Sequence, residues 1–320
     1  MNARPLAARH WLRPFSLQWR CKPVLAQMHR RPPHLVLSVV TLIVALVNGW
    51  PVALQAAGQL TGCGGAQVAA TNADFEAQVA ELTNVRRAAA GLPPLKVVTE
   101  LNNAARYHAA DMQQDDYFKH HSHDQIDGKA VQVCEWHQRV MLYYPSPSAE
   151  NIAWGYTTPE AVVQAWMDSE GHRKNILSDA RELGVGFFEN EWVQDFGTRN
   201  TVYPLIINGE ARQTATPQIT LYVYGAWAQM RLRDNGAAWS DWQPFQNGST
   251  WQVAHTQGVH TVEVELQKGA QTLISSDTIE LTTNGDTPVT PTPTPLPPAT
   301  PQPDPNIGLN NHLFLPVVQR

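Results

Sequence analysis

The sequence predicts an α+β protein made of two successive folded parts, helices around a small sheet and then a small all-β sandwich. Two observations carry this. From Asp74 to about Gly197 apolar residues recur at helical spacing before giving way to short apolar runs, and from about Thr201 to Leu281 they alternate with polar residues between turn signals. A chain of 320 residues with 43% hydrophobic and 16% charged content is ample for two cores.

Residues 1–58 read as an export signal with a long basic leader. Arg30 and Arg31 precede a largely apolar run from Leu35 to Val47, and the small residues Ala56, Ala57 and Gly58 follow. That is the order of a charged region, an apolar region and a cleavage site. The leader is long for a signal, which makes Met28 a candidate start. The alternative is a single membrane anchor, although the run falls short of the ~20 residues that span a bilayer. Residues 59–73 read as a linker.

In the first folded part, residues 74–200, Phe75, Val79, Leu82 and Val85 mark one helix, stopped by Gly91-Leu92-Pro93-Pro94. Thr99 is placed as the cap of a second, in which Leu101, Ala104, Ala105, His108 and Met112 share a face. Thr158-Pro159-Glu160 opens a third, with Val162, Val163 and Trp166 inward. Strands are predicted over 184–188 and 192–196. In the second part, residues 201–283, Ile219, Leu221 and Val223 alternate, Asp234-Asn235-Gly236 turns the chain, and Val262, Val264 and Leu266 alternate again. Trp239, Trp242 and Trp251 are assigned to its core, with a carbohydrate platform as the alternative. Residues 284–306 are Thr/Pro-rich, an extended polyproline II spacer with no core of its own. The tail, residues 307–320, carries Leu313-Phe314-Leu315-Pro316-Val317-Val318. It is too short to span a membrane, and is expected either to add to a partner or serve in surface sorting, or to be a sticky end without structure.

Twenty-eight acidic against 23 basic residues, a net charge of -5, give no broad basic field, so nucleic acid is not an expected partner. Cys21 would leave with the signal. The remaining pair, Cys63 and Cys134, most simply forms a disulfide in an oxidising exterior. The rival reading is that Leu60-Thr61-Gly62-Cys63 is a lipoprotein processing box, which would place a lipid on Cys63 and leave Cys134 alone.

Histidines are the informative feature. His108, His120, His121 and His123 lie close in sequence, and His172 follows a predicted helix. Neutral imidazoles converging with carboxylates can hold a divalent cation, zinc being the suited one; a polar loop is the plainer alternative.

Here the residues resemble a family. Tyr117-Phe118-Lys119-His120 with Ser122 and Gly128, then Ala149-Glu150-Asn151-Ile152-Ala153-Trp154-Gly155, then Trp166 through Leu177 with Gly171-His172, then Gly184-Val185-Gly186, resemble the successive signatures of bacterial CAP (SCP-like) domains. This superfamily comprises cysteine-rich secretory, antigen 5 and pathogenesis-related class 1 proteins. The resemblance implies an α-β-α sandwich of CAP type with a central cleft in which two histidines and two glutamates face each other. By motif these are His120, Glu150 and His172, with His121 as a one-residue substitute for His120. Glu170 is the available carboxylate for the second glutamate, although many bacterial relatives lack one there. The implied metal ligands are His120 and His172, and the implied ion is Zn2+. The usual Gly-Glu-Asn reads Ala149-Glu150-Asn151, a change that matters only where the backbone needs a positive φ. His108 is assigned to a helix core, and Asn151 and Asn175 to tying backbone turns. In the second part, Met230–Gly236, Trp239–Phe245 and His260–Val264 resemble bacterial extracellular immunoglobulin-like modules, which implies spacing or adhesion.

The function expected is therefore a secreted or cell-surface binding protein whose His/Glu cavity engages a lipid, polysaccharide or protein ligand, with or without a divalent metal. Two alternatives stand beside it. One is a zinc-dependent hydrolase with Glu150 as general base, although the chain has no His-Glu-x-x-His helix and no Gly-x-Ser-x-Gly elbow. The other is a purely structural surface protein with a vestigial cluster.

Overall fold

The computed structural model describes residues 59–282 and two short strands at 312–313 and 317–318; the expected export signal, the Thr/Pro-rich spacer and the rest of the tail lie outside the described residues. The first helix, α1 (Ala73–Ala89), starts where the Asn72 side chain accepts from the Phe75 N–H. Asp74 and Glu76 sit in its first turn and Arg86 and Arg87 in its last, each at the end the helix dipole favours. It stops before Gly91, whose φ of +72° a glycine adopts without strain. Strand β1 (Lys96–Val97) leads into α2 (Thr99–Gln114). The cap position of α2 is Val98, which offers no side chain, and Thr99 is already helical. The displacement has a cause: the Val98 N–H donates to the Leu183 carbonyl, which keeps Val98 extended as a continuation of β1.

Strands β2 (Ser122–Ile126) and β3 (Lys129–Cys134) form a hairpin turned by Asp127-Gly128, both at positive φ. A capping box between Glu135 and Gln138 opens α3 (Trp136–Met141). Then come β4 (Pro147–Trp154), α4 (Pro159–Asp168) capped by Thr158 as expected, α5 (Glu170–Ile176), β5 (Glu182–Phe188) and β6 (Glu191–Gly197). The second part holds β7 (Leu205–Ile207), β8 (Gln213–Thr214), β9 (Gln218–Val223), β10 (Gln229–Asp234), β11 (Gln243–Pro244), β12 (Gly248–Gln252), β13 (Gly258–Lys268) and β14 (Gln271–Leu281). Strands β15 (His312–Leu313) and β16 (Val317–Val318) come from the tail.

The first sheet runs β1-β5-β6-β4, with β1 parallel to β5 and the rest antiparallel, and both tail strands pair with the outer edge of β4. Strand alternation sorts its residues into two faces. Leu183, Val185, Trp192, Phe196, Ala149 and Ala153 meet α1 and α4. On the other face Ile152 and Val193 meet Ala105, Ala109 and Met112 of α2. The result is an α-β-α sandwich. Gly184 and Gly186 make the α2 contact possible: a Cβ on either would lie 2.1 or 2.2 Å from the backbone of Leu101 or Ala105.

In the second part, sheets β12-β9-β7 and β11-β10-β13-β14-β8 share a core that includes Ile219, Leu221, Val223, Leu232, Val262 and Val264. Trp251 packs on this core. Trp239 and Trp242 do not belong to it. They lie half-buried beneath Arg231 and Arg233, whose guanidinium carbons stand 4.3 to 5.1 Å from the ring centres. The cause is a cation–π stack with guanidiniums already fixed by Glu263 and Glu265.

The two parts meet through polar contacts. Lys96 Nζ lies 2.9 Å from Glu210 and 2.5 Å from Asp277, Asn84 donates to the Gly209 carbonyl, and the Tyr224 hydroxyl donates to the Pro94 carbonyl. Among the described residues no helix is long and apolar enough to cross a membrane.

Candidate functional site

Glu150 sits in β4, fully buried, on the face turned to α2. Its Oε1 lies 2.8 Å from His120 Nδ1 and 4.0 Å from His108 Nε2, and its Oε2 accepts from Arg139 Nη2. Arg139, on α3, is itself fully buried and also donates to the His120 carbonyl (2.8 Å) and to Ser122 Oγ (3.1 Å). Helix α2, the loop before β2 and helix α3 thus converge on one carboxylate of β4.

Burial alone would raise the Glu150 carboxyl, but the Arg139 guanidinium, with the hydrogen bond from His120, more than offsets it and holds the group below the ordinary carboxylate range. Burial, with Arg139 beside it, keeps His108 neutral. His108 is therefore a member of the site as well as a helix-core residue. A further acid escaped the sequence reading: Asp195 of β6 stands directly across the ladder from Glu150. Burial pushes its carboxyl well above the usual range and the Glu150 charge adds to that, so the pair carries one negative charge between them. Strand alternation over 192–196 was the available signal, since it places Asp195 inward.

His172 is on α5, which packs against the opposite face of the sheet. Asn151 follows Glu150 and so points that way. Its Nδ2 donates to the His172 carbonyl, and Asn175 Nδ2 donates to Asn151 Oδ1 (2.9 Å) and the Glu150 carbonyl (3.3 Å). The two asparagines thus fasten α5 to β4, the tying role expected of them. His172 Nδ1 lies 2.7 Å from Ser169 Oγ. Helix α5 brings His172 to the Glu150–Asn151 segment, from the other side of the β4 edge. Glu170 is exposed at the first turn of α5 and shares no hydrogen bond or ion pair with His120, Glu150 or His172. His121 is partly exposed, its Nδ1 3.2 Å from Glu135, so His120 is the inward ring of the two. Ala149 is buried against the α1/α4 core and needs no positive φ.

Among the described residues, the set of three His, Cys, Asp or Glu donors whose ligand atoms lie within 4.8 Å of one another is Asp111, Asp115 and Asp124, not the histidine set. Asp111 accepts from the Tyr117 hydroxyl, and burial pushes its carboxyl up to about 7, with Asp115 and Asp124 adding to it. Both oxygens of Asp124 accept from the Gly62 N–H, at 2.9 and 3.0 Å. The next residue, Cys63, is joined to Cys134 at the end of β3 by a disulfide, with 5.1 Å between their Cα atoms. The Cys63 sulfur is thereby committed, against the lipid reading.

Residues 80–196 match the family model of the cysteine-rich secretory protein family, CAP. This segment is a CAP domain. Over 125 residues the chain is 41% identical to the uncharacterized protein YkwD of Bacillus subtilis (strain 168), covering 38% of this chain and 46% of that protein. It is 36% identical over 122 residues to the uncharacterized membrane protein YlbC of the same organism, covering 38% and 34%. The chain thus spans less than half the length of the curated relatives it matches. An extracellular protein containing a SCP domain from Bacillus anthracis str. Ames is similar at 29% identity, over 39% of this chain and 40% of that one, with a TM-score of 0.35. Glu150, His120 and His172 all fall within the matched CAP segment.

Proposed function

We propose that the protein works outside the cell as a binding protein, exported by its amino-terminal signal, with the CAP domain engaging a ligand at the Glu150 hollow. One observation carries the reading. A buried carboxylate is held charged among His108, His120 and Arg139, an arrangement costly to build into a core and of little use to stability on its own. The lipid, polysaccharide or protein nature of the ligand is a matter for the binding assay.

A divalent cation, zinc, fits the donor chemistry in part. Glu150 engages His120 Nδ1, and Ser169 Oγ engages His172 Nδ1, the kind of outer contact that would orient a ligating ring. His120 is the implied ligand on the Glu150 side of the sheet; His172, which α5 places at the other face, would have to reach the same ion across the β4 edge, and Glu150, tied to Arg139, would orient rather than ligate. When bound, zinc supplies a Lewis-acid centre for a ligand oxygen. Glu150 is a poor general base, because the guanidinium that keeps it charged also weakens its hold on a proton. That argues against the hydrolase.

Zinc titration of the full chain by calorimetry tests the metal, and His120→Ala and His172→Ala are each expected to weaken it by about tenfold or more. Equal affinity in the wild type and both variants overturns the metal assignment. Ligand binding that survives Glu150→Ala with the fold intact overturns the hollow as the binding site.

A further inference from the structure

Strand β4 is the outermost strand contributed by the CAP domain itself, and it carries Glu150. An edge strand presents unpaired backbone N–H and C=O groups, an open template for another strand. Here that edge is taken by residues from the far end of the same chain. His312 stands opposite Trp154 and Leu313 opposite Ala153, then Val317 opposite Glu150 and Val318 opposite Ala149, all antiparallel.

The register explains how one tail makes both contacts. In the first pair of partners the two residue numbers sum to 466, and in the second to 467. Between the two ladders the tail therefore uses one residue more than β4 does. The sequence on either side, Leu313 and Val317-Val318, is β-favouring and apolar.

We infer that the outer edge of β4 is a strand-docking site, that its occupant is the chain's own segment 312–318, and that the docked tail covers the border between the two histidine-bearing layers. His120 and Glu150 lie on one side of that edge and His172 on the other. Anything that bridges the two histidines from this side meets the tail strand first. The intervening segment 283–311, rich in Pro and Thr, reaches about 3.1 Å per residue when extended, enough to return the tail to its own domain. Tethering also raises the tail's local concentration to the millimolar range, which favours its own β4 over a neighbour's. The inference concerns backbone pairing and stands or falls without the metal assignment.

Hydrogen exchange tests it. The full chain is compared with a chain ending at residue 306 and with a full-length Leu313→Pro/Val317→Pro variant, reading the amides of residues 147–154. Both altered proteins should exchange the outward-facing β4 amides about tenfold faster or more, while the amides paired to β6 stay protected. A synthetic peptide of residues 307–320 should restore slow exchange to the shortened chain, and the same peptide with both prolines should not. Unchanged exchange in both altered proteins, or equal rescue by the two peptides, overturns the docking site. A dimer of the full chain that disappears on shortening overturns the tail's own domain as its place.

Discussion

Replacing Glu150 by Gln removes the charge at the centre of the CAP domain while keeping its shape. Taking away one partner of a fully buried ion pair ordinarily costs about 3–5 kcal/mol, because the other charge is left without compensation. Arg139 would be that charge, held by the His120 carbonyl and Ser122 Oγ but neutralised by neither. Asp195 changes the sum. It faces Glu150 across the ladder and is kept protonated by burial and by the Glu150 charge. Once that charge is gone, Arg139 draws Asp195 into its ionised form and the pair re-forms on the neighbouring strand. Glu150→Gln should then cost only about 1–2 kcal/mol, on the scale of an altered hydrogen bond. Asp195→Asn alone should cost less, and the double variant should reach the full 3–5 kcal/mol or so. Urea unfolding at pH 7 measures all four proteins, urea being preferred because it does not screen charge. Additivity of the two substitutions to within about 0.5 kcal/mol would refute the shared charge. The pH dependence is a second check. A depressed folded-state carboxyl gives stability that is present above its unfolded value of 4.5 and lost as pH falls, so Glu150→Gln should remove part of the acid limb of the stability curve.

Other substitutions reach other parts of the molecule. Lys96→Met leaves Glu210 and Asp277 together without their cation, and should cost about 3 kcal/mol at pH 8 but markedly less at pH 5, where Glu210, its carboxyl raised to about 7 by burial, takes up a proton; thermal unfolding at the two pH values reads this. For Asp111 the sign is reversed: a folded value of about 7 against an ordinary 3.8 means stability is lost as pH rises between them. Asp111→Asn should therefore raise stability at pH 8 by up to about 4 kcal/mol and leave pH 4 unchanged, as chemical denaturation would show. Cys63→Ser opens a bridge between residues 71 apart and should lower unfolding free energy by about 4 kcal/mol; the intact mass of the mature wild-type chain without reductant should be two hydrogens below the thiol form. Gly186→Ala places a carbon against the backbone of Ala105 and should cost more than about 3 kcal/mol, measured by circular dichroism.

The layered architecture was legible because its helices and strands carry their own periodicities, and because Thr158-Pro159 and Gly91 punctuate them in the usual positions. Thr99 misled by one residue, since the extra sheet bond at Val98 is a tertiary contact that a local cap rule does not contain. The CAP motifs led to His120, Glu150 and His172, and the structure adds what spacing alone does not contain: which ring of His120 and His121 faces inward. Arg139 and Asp195 were invisible for a related reason. One lies on a six-residue helix and the other in an ordinary strand, and each matters only through what stands opposite it. Trp239 and Trp242 were assigned by bulk, which says where a large apolar body is welcome but not that two arginines are waiting for it.

The bond between Lys96 and the two acids of the second part has a mechanical consequence. Lys96 begins the short strand that runs straight into α2, and α2 carries His108 three turns farther on. A pull applied to the β-module therefore arrives at the helix that packs beside Glu150 through a short run of regular structure, with no slack segment to absorb it. Strain on the module is strain on that helix.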